Sequence, residues 1–298
     1  MKVLCTTSSF TAPFPPEVEV VKNPHGRRLS EAEVAELIRE HKPDGLIAGV
    51  EPLTRAVLEG AKGLRGISRC GVGLDSVDLD AARELGVAVR NTPEAPVASV
   101  AELTVALILA LLRHVPVADA ALRRGEWPRI KGGLLEGKTV GLVGCGRIGS
   151  AVAQRLSGFG CKLIGFDPAL ETHPLCTLVS LDRVIAEADI LTLHSPLVEA
   201  TRHLIGAAQL EAMKTSALLV NTARGGLVDT AALVTALIDG SIAGAALDVF
   251  EEEPYTGPLT TMTDKTVLTS HIASSAREAR QRMEEEAVAN LMEALSHS

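Results

Sequence analysis

Aromatic side chains are scarce in this 298-residue chain: one tryptophan, one tyrosine and five phenylalanines. Without stacking platforms a base-reading surface is excluded. A formal net charge of −8 removes the basic face that displaces counterions from phosphate, so no nucleic-acid partner is expected. Long hydrophobic runs are missing too. Leu103–Leu112 is the longest, bracketed by Glu102 and Arg113, and falls short of the roughly 20 residues a bilayer crossing needs, so no membrane partner is expected. The five cysteines, Cys5, Cys70, Cys145, Cys161 and Cys176, show neither CxxC spacing nor a zinc-type cluster, and no metal is expected. Met1–Thr7 is too brief for the apolar core of a signal peptide. The thiols therefore read as reduced, and the protein as cytoplasmic.

What remains is aliphatic: apolar residues make up 46% of a chain long enough for two domains sharing a cleft. Short apolar runs alternate with helical patterns. Lys2–Thr6, Gly45–Ala48, Gly66–Arg69 and Val87–Asn91 read as strands, separated by helices over Ser30–His41, Thr54–Ala61 and Leu79–Leu85. Ser30 with Glu33 forms a capping box. A prolyl break at Pro93–Pro96 precedes a long helix over Ala98–Arg113 and a loop with Trp127 and Pro128. Six further strands follow: Thr139–Val143, Lys162–Phe166, Ile190–His194, Ala217–Asn221, Gly244–Phe250 and Thr266–Ser270. The tail after Ser275 reads as a charged amphipathic helix. This alternation predicts an α/β chain of parallel strands and crossover helices, the second set matching a doubly wound dinucleotide-binding domain.

Strand Thr139–Val143 runs into Gly144-Cys145-Gly146-Arg147-Ile148-Gly149 and then a helical pattern. One glycine permits the tight turn, the next lets amides approach a pyrophosphate, and the third allows close helix–strand packing. The helix start offers unpaired N–H groups to the phosphates. Asp167 ends the next strand, 18 residues beyond Gly149, where an acid accepts hydrogen bonds from the adenosine ribose. A carboxylate there repels a 2′-phosphate, so NAD is expected rather than NADP.

Ligands of open parallel sheets lie beyond the carboxyl ends of the strands. Three successive strands end in Thr222-Ala223-Arg224-Gly225-Gly226, Glu251-Glu252-Glu253-Pro254 and His271-Ile272-Ala273. Arg224 suits a bidentate grip on a carboxylate. His271 suits proton exchange with a carbonyl oxygen, and one acid of Glu251–Glu253 suits the other imidazole nitrogen. Taken singly, each has a plainer reading: a loop-capping arginine, a solvated acidic run, a structural histidine. Behind a dinucleotide turn the trio reads as a reaction centre.

The glycine turn with Asp167, Leu193-His194-Ser195-Pro196, Asn221-Thr222-Ala223-Arg224-Gly225-Gly226, Ala246-Leu247-Asp248-Val249-Phe250, Ser270-His271 and Arg69-Cys70-Gly71-Val72-Gly73-Leu74-Asp75 together resemble the D-isomer-specific 2-hydroxyacid dehydrogenases, most nearly their phosphoglycerate-type members. The resemblance implies catalytic Arg224, Glu253 and His271. It implies NAD contacts from Val72, Thr104, Gly144, Gly146, Arg147, Ile148, Gly149, Asp167, His194, Ser195, Pro196, Thr222, Ala223, Arg224, Asp248 and His271. Substrate contacts would come from Val50, Arg69, Gly71, Val72, Gly73, Arg129, Arg224 and His271. The implied architecture is a flavodoxin-like substrate domain, residues 1–96 plus 275–298, and a Rossmann-type NAD-binding domain, residues 97–274, in a homodimer. The implied reaction interconverts a small D-2-hydroxy acid and its 2-keto acid, foremost D-3-phosphoglycerate and 3-phosphohydroxypyruvate in serine biosynthesis. A glyoxylate or hydroxypyruvate reductase is the alternative, and an NAD-sensing, corepressor-like scaffold is the rival of another class. Two departures stand out. Phosphoglycerate-type members often carry an arginine where this chain reads Gly49-Val50-Glu51, and the chain stops at Ser298 without a regulatory extension, so serine feedback by that route is not expected.

Overall fold

Among the described residues strands pair only in parallel, in two separate sheets. The computed structural model describes residues 1–296 and resolves into two units: Met1–Pro96 with the chain from Ser274 onward, and Val97–Ala273. In the first unit the order is β1 (Lys2–Cys5), β2 (Glu19–Lys22), α1 (Glu31–His41), β3 (Gly45–Ala48), α2 (Arg55–Gly60), β4 (Gly66–Arg69), α3 (Leu79–Glu84) and β5 (Ala88–Asn91). The sheet runs β2-β1-β3-β4-β5, the flavodoxin-like order. β3 is buried along its whole length, as expected of a parallel strand covered on both faces. Ser30 caps α1 reciprocally with Glu33, as the sequence predicts.

The second unit holds α4 (Val97–Leu112), α5 (Val115–Arg123), β6 (Thr139–Val143), α6 (Arg147–Leu156), β7 (Lys162–Phe166), β8 (Thr177–Leu178), α7 (Leu181–Glu187), β9 (Ile190–Leu193), α8 (Ala207–Ala212), β10 (Leu218–Asn221), α9 (Thr230–Asp239), β11 (Gly244–Leu247) and β12 (Thr266–Leu268). Its sheet runs β12-β11-β10-β9-β6-β7-β8. Crossovers leave β6 on one side for β7 and β8, and on the other for β9 onward. The topological switch, and with it a crevice, falls at the carboxyl ends of β6 and β9. α4 sinks Ala101, Leu107, Ile108, Leu111 and Leu112 into the core of this unit. Among the described residues no single helix is long and apolar enough to cross a membrane.

The chain then returns to the first unit as α10 (Arg277–Ser296), whose Met283, Ala287, Leu291 and Leu295 pack with Val3, Cys5 and Ile47. Glu284 on the same helix is buried. Its Oε2 accepts the Thr11 amide at 2.7 Å, the Thr11 hydroxyl at 2.9 Å and the Ala12 amide at 3.1 Å, pinning the loop after β1.

Three elements go beyond the sequence reading. β2 and β8 widen the sheets to five and seven strands where four and six are predicted, and α5 occupies chain read as loop. The ends of two strands are also corrected. β11 stops at Leu247 and β12 at Leu268; beyond them the Asp248 carboxylate, rather than a neighbouring strand, takes the Ile272 and Ala273 amides.

Candidate active site

The glycine turn is built by close approach. A Cβ on Gly149 would lie 2.1 Å from the Gly144 carbonyl oxygen, so the first turn of α6 packs against the turn only as glycine. Gly146 is the opposite case: a Cβ there would meet nothing within 4 Å, and it heads α6 with no side-chain cap. Open space before uncapped amides suits the pyrophosphate of a dinucleotide. Asp167 stands beside it, accepting the Cys145 amide on Oδ2 and the Ala169 amide on Oδ1, each at 2.9 Å. Arg147 is exposed at the start of α6, and Ile148 turns partly into the core. These residues fit a dinucleotide.

Across the switch point, His194 follows β9. Its Nε2 lies 3.0 Å from the Thr192 hydroxyl, while Nδ1 is buried with no hydrogen-bond partner among the described residues. Burial pushes this imidazole down to about 3, so it is neutral at physiological pH. Ser195 donates its hydroxyl to the Val143 carbonyl at 3.2 Å, tying the ends of β6 and β9, and Pro196 is exposed beside it. Thr104 on α4 and Thr222 after β10 share a buried hydroxyl–hydroxyl bond of 2.8 Å.

The three strand-end loops are fastened to one another. Asn221 is buried; its Nδ2 donates to the Arg224 carbonyl at 2.8 Å and its Oδ1 accepts the Ala223 amide at 3.0 Å, fixing the arginine's backbone. The Arg224 guanidinium donates to the Ala223 carbonyl at 2.7 Å. Next to it, a Cβ on Gly225 would sit 1.9 Å from the Phe250 carbonyl carbon, so the arginine loop lies directly on the chain after β11. There Glu253 accepts the Phe250 amide on Oε1 at 3.1 Å and meets His271 Nδ1 with Oε2 at 2.9 Å.

His271 adopts a left-handed backbone, φ +55°, which is strained for a residue with a Cβ. Asp248 holds it there. The Asp248 carbonyl accepts the His271 amide at 2.8 Å, and its buried carboxylate takes the Thr269 hydroxyl at 2.6 Å and the Ile272 and Ala273 amides at 2.9 Å each. The acid read as a cofactor contact is thus also the anchor of the histidine loop. Asn221, Thr269 and Gly225 were missed by sequence reasoning. Their only signal is a polar or tiny residue flanking a strand end.

The remaining predicted substrate residues are carried by other elements. Val50, Arg69, Gly71, Val72 and Gly73 sit at the carboxyl ends of β3 and β4 in the first unit. The Arg69 guanidinium folds over Gly71, occupying the space a Cβ would take, and donates to the Cys70 carbonyl at 2.7 Å. Thr92 and Asn91 hold the Gly71 amide and the Val72 carbonyl, at 2.7 and 2.6 Å. Glu51 is buried, its carboxylate bonded to the Thr6 hydroxyl and to the Gly49 amide at 3.0 Å. Arg129 is exposed on the irregular segment between α5 and β6.

Residues 105–273 match the family described as D-isomer specific 2-hydroxyacid dehydrogenase, NAD binding domain. The chain belongs to that family. Its second unit is therefore an NAD-binding domain. The D-3-phosphoglycerate dehydrogenase of Methanocaldococcus jannaschii is 44% identical over 272 residues, 89% of this chain, which spans only 51% of that relative's length. The hydroxypyruvate reductase of Thermotoga maritima is 41% identical over 256 residues, 84% of each chain. Among solved structures, the TT0316 protein of Thermus thermophilus superposes with a TM-score of 0.89 at 39% identity, covering 100% of this chain and 97% of its own.

Proposed function

We propose that this family member interconverts a D-2-hydroxy acid and its 2-keto acid with NAD, the pair being D-3-phosphoglycerate and 3-phosphohydroxypyruvate. The observation that carries the reading is the Glu253–His271 pair, set on a strained backbone at the carboxyl edge of a dinucleotide-binding sheet. When bound, NAD supplies hydride acceptance and donation at carbon. The chain's own residues do the rest. Glu253 accepts the Nδ1 hydrogen of His271, which fixes the ring's tautomer and orientation and leaves Nε2 to exchange a proton with the substrate's C2 oxygen. Arg224 holds the substrate carboxylate and polarises the adjacent carbonyl. The Gly144–Gly149 turn, Asp167, His194, Ser195 and Asp248 seat the dinucleotide. The first unit, with the chain from Ser274 onward, serves as the substrate domain.

A second reading, a hydroxypyruvate or glyoxylate reductase, is favoured by Glu51: a buried carboxylate occupies the stretch after β3, where a phosphate would require a cation. Steady-state assays with 3-phosphohydroxypyruvate, hydroxypyruvate, glyoxylate and pyruvate separate the two. His271→Ala should lower turnover about 10²–10⁴-fold while NADH binding persists. Tight NADH binding with no turnover of any keto acid would overturn the enzymatic reading in favour of a scaffold.

Pairing as a homodimer is supported by a run of exposed apolar side chains on the second unit, Trp127 at 84%, Leu134 at 67%, and Val115 and Leu122 at 53%. The free thiols of all five cysteines suit the reducing cytoplasm.

A further inference from the structure

Beneath the glycine turn lies a cluster that the dehydrogenase chemistry does not use. Cys145, between the first two glycines, and Cys176, just before β8, have their sulfurs 4.0 Å apart, both over Gly165 of β7. His173 closes a ring around them. Its Nδ1 accepts the Leu175 amide at 3.2 Å and lies 3.3 Å from the Cys176 sulfur. Because Nδ1 is the accepting nitrogen, the proton sits on Nε2, which reaches the Ser150 hydroxyl at 2.9 Å, and Ser150 donates in turn to the Cys145 carbonyl at 2.9 Å. A thiol with a base at hand, and a second thiol in van der Waals contact, is the arrangement of an oxidisable pair.

We propose that Cys145 and Cys176 close into a reversible disulfide on exposure to a hydroperoxide, and that closure weakens dinucleotide binding. Cys176 passes its proton to His173 Nδ1, and its sulfur attacks one oxygen of hydrogen peroxide. A sulfenic acid forms, and the second oxygen leaves as water with that proton. The Cys145 sulfur then displaces the sulfenic hydroxyl, which departs with the Cys145 proton as a second water. Two thiols and one hydrogen peroxide thus give one disulfide and two waters. Burial raises both thiols, Cys145 to about 12, which makes the reaction slow and assigns the first step to the cysteine that has a base. Cys176 is also the more accessible, at 8% against 2%.

The consequence for binding follows from position. Closing the sulfurs from 4.0 Å to the roughly 2.0 Å of a disulfide needs about 2 Å of approach. The Cys145 amide is the group that bonds Asp167, so that movement draws the turn away from its acid.

The test treats the full chain with hydrogen peroxide and maps the thiols by mass spectrometry after alkylation. The expected product is a Cys145–Cys176 cross-linked peptide, removed by dithiothreitol, with an at least tenfold weaker NADH affinity by fluorescence titration that the reductant restores. Cys176→Ser should keep its NADH affinity through the same treatment, and His173→Asn should cross-link about tenfold more slowly. Free Cys145 and Cys176 after treatment that oxidises the less buried Cys161, or a cross-link that leaves NADH affinity unchanged, would overturn the proposal. The cross-link is read without any turnover, so its failure is distinct from failure of the dehydrogenase reading.

Discussion

Asp248 grips the backbone around His271 at four points: its carbonyl takes the histidine amide, and its carboxylate takes one hydroxyl before and two amides after. A left-handed non-glycine residue costs of order 1–3 kcal/mol and persists only where its surroundings fix it. Asp248→Asn should therefore loosen the loop by setting an amide N–H against the Ile272 or Ala273 N–H. Hydrogen exchange at residues 271–273 should quicken and turnover fall about 10–10²-fold. Unchanged exchange would show that the loop holds without the carboxylate.

The arginine loop offers a steric counterpart. Gly225→Ala places a methyl 1.9 Å from the Phe250 carbonyl carbon, a backbone atom that cannot swing aside. Overpacking of this kind costs roughly 1–3 kcal/mol. A lowered thermal midpoint should accompany lost activity, since Arg224 and Glu253 are pushed apart.

In the first unit the decisive group is Glu284. Replacing it with alanine leaves the Thr11 and Ala12 amides and the Thr11 hydroxyl without their acceptor and Arg280 without its 3.2 Å partner. A buried group left unsatisfied costs about 1–3 kcal/mol. Urea unfolding of the Glu284→Ala chain should show a lower midpoint, with Thr11 losing exchange protection first.

His194 predicts a pH dependence. Its folded value, about 3, lies below the ordinary histidine value of 6.5 because burial disfavours the cation. Between those values the unfolded chain binds a proton that the folded chain does not. The contribution of His194 is therefore whole above pH 6.5 and drains away as pH falls toward 3, by up to about 1.4 kcal/mol per unit. The difference in stability between wild type and His194→Gln, measured from pH 7 to pH 4, should shrink with acidity. A constant difference would mean that the ring is not held neutral.

Much of this was legible in the sequence because parallel α/β chains write their punctuation plainly. Apolar runs of four or five residues, a glycine turn and an acid at the next strand end locate most strands and the dinucleotide turn. β2 was hidden because Glu19-Val20-Val21-Lys22 is short and follows Phe14-Pro15-Pro16, and β8 because it is only two residues long. α5 was hidden by Pro116 and by the left-handed His114 that caps it. The fastening of the loops was illegible for another reason. Whether Asp248 faces a ligand or its own neighbours is decided by where Thr269, Ile272 and Ala273 return in space, and sequence order does not carry that. Arg69 is similar: a free cation on paper, it lies folded upon Gly71.

The placement of α10 governs the order in which the chain can take shape during synthesis. Val97–Ala273 is one uninterrupted stretch and can fold as soon as it clears the ribosome. The sheet of the first unit, made before it, must wait with Val3, Cys5 and Ile47 uncovered until α10 emerges to shield them. The sheet made before that stretch is completed only after it.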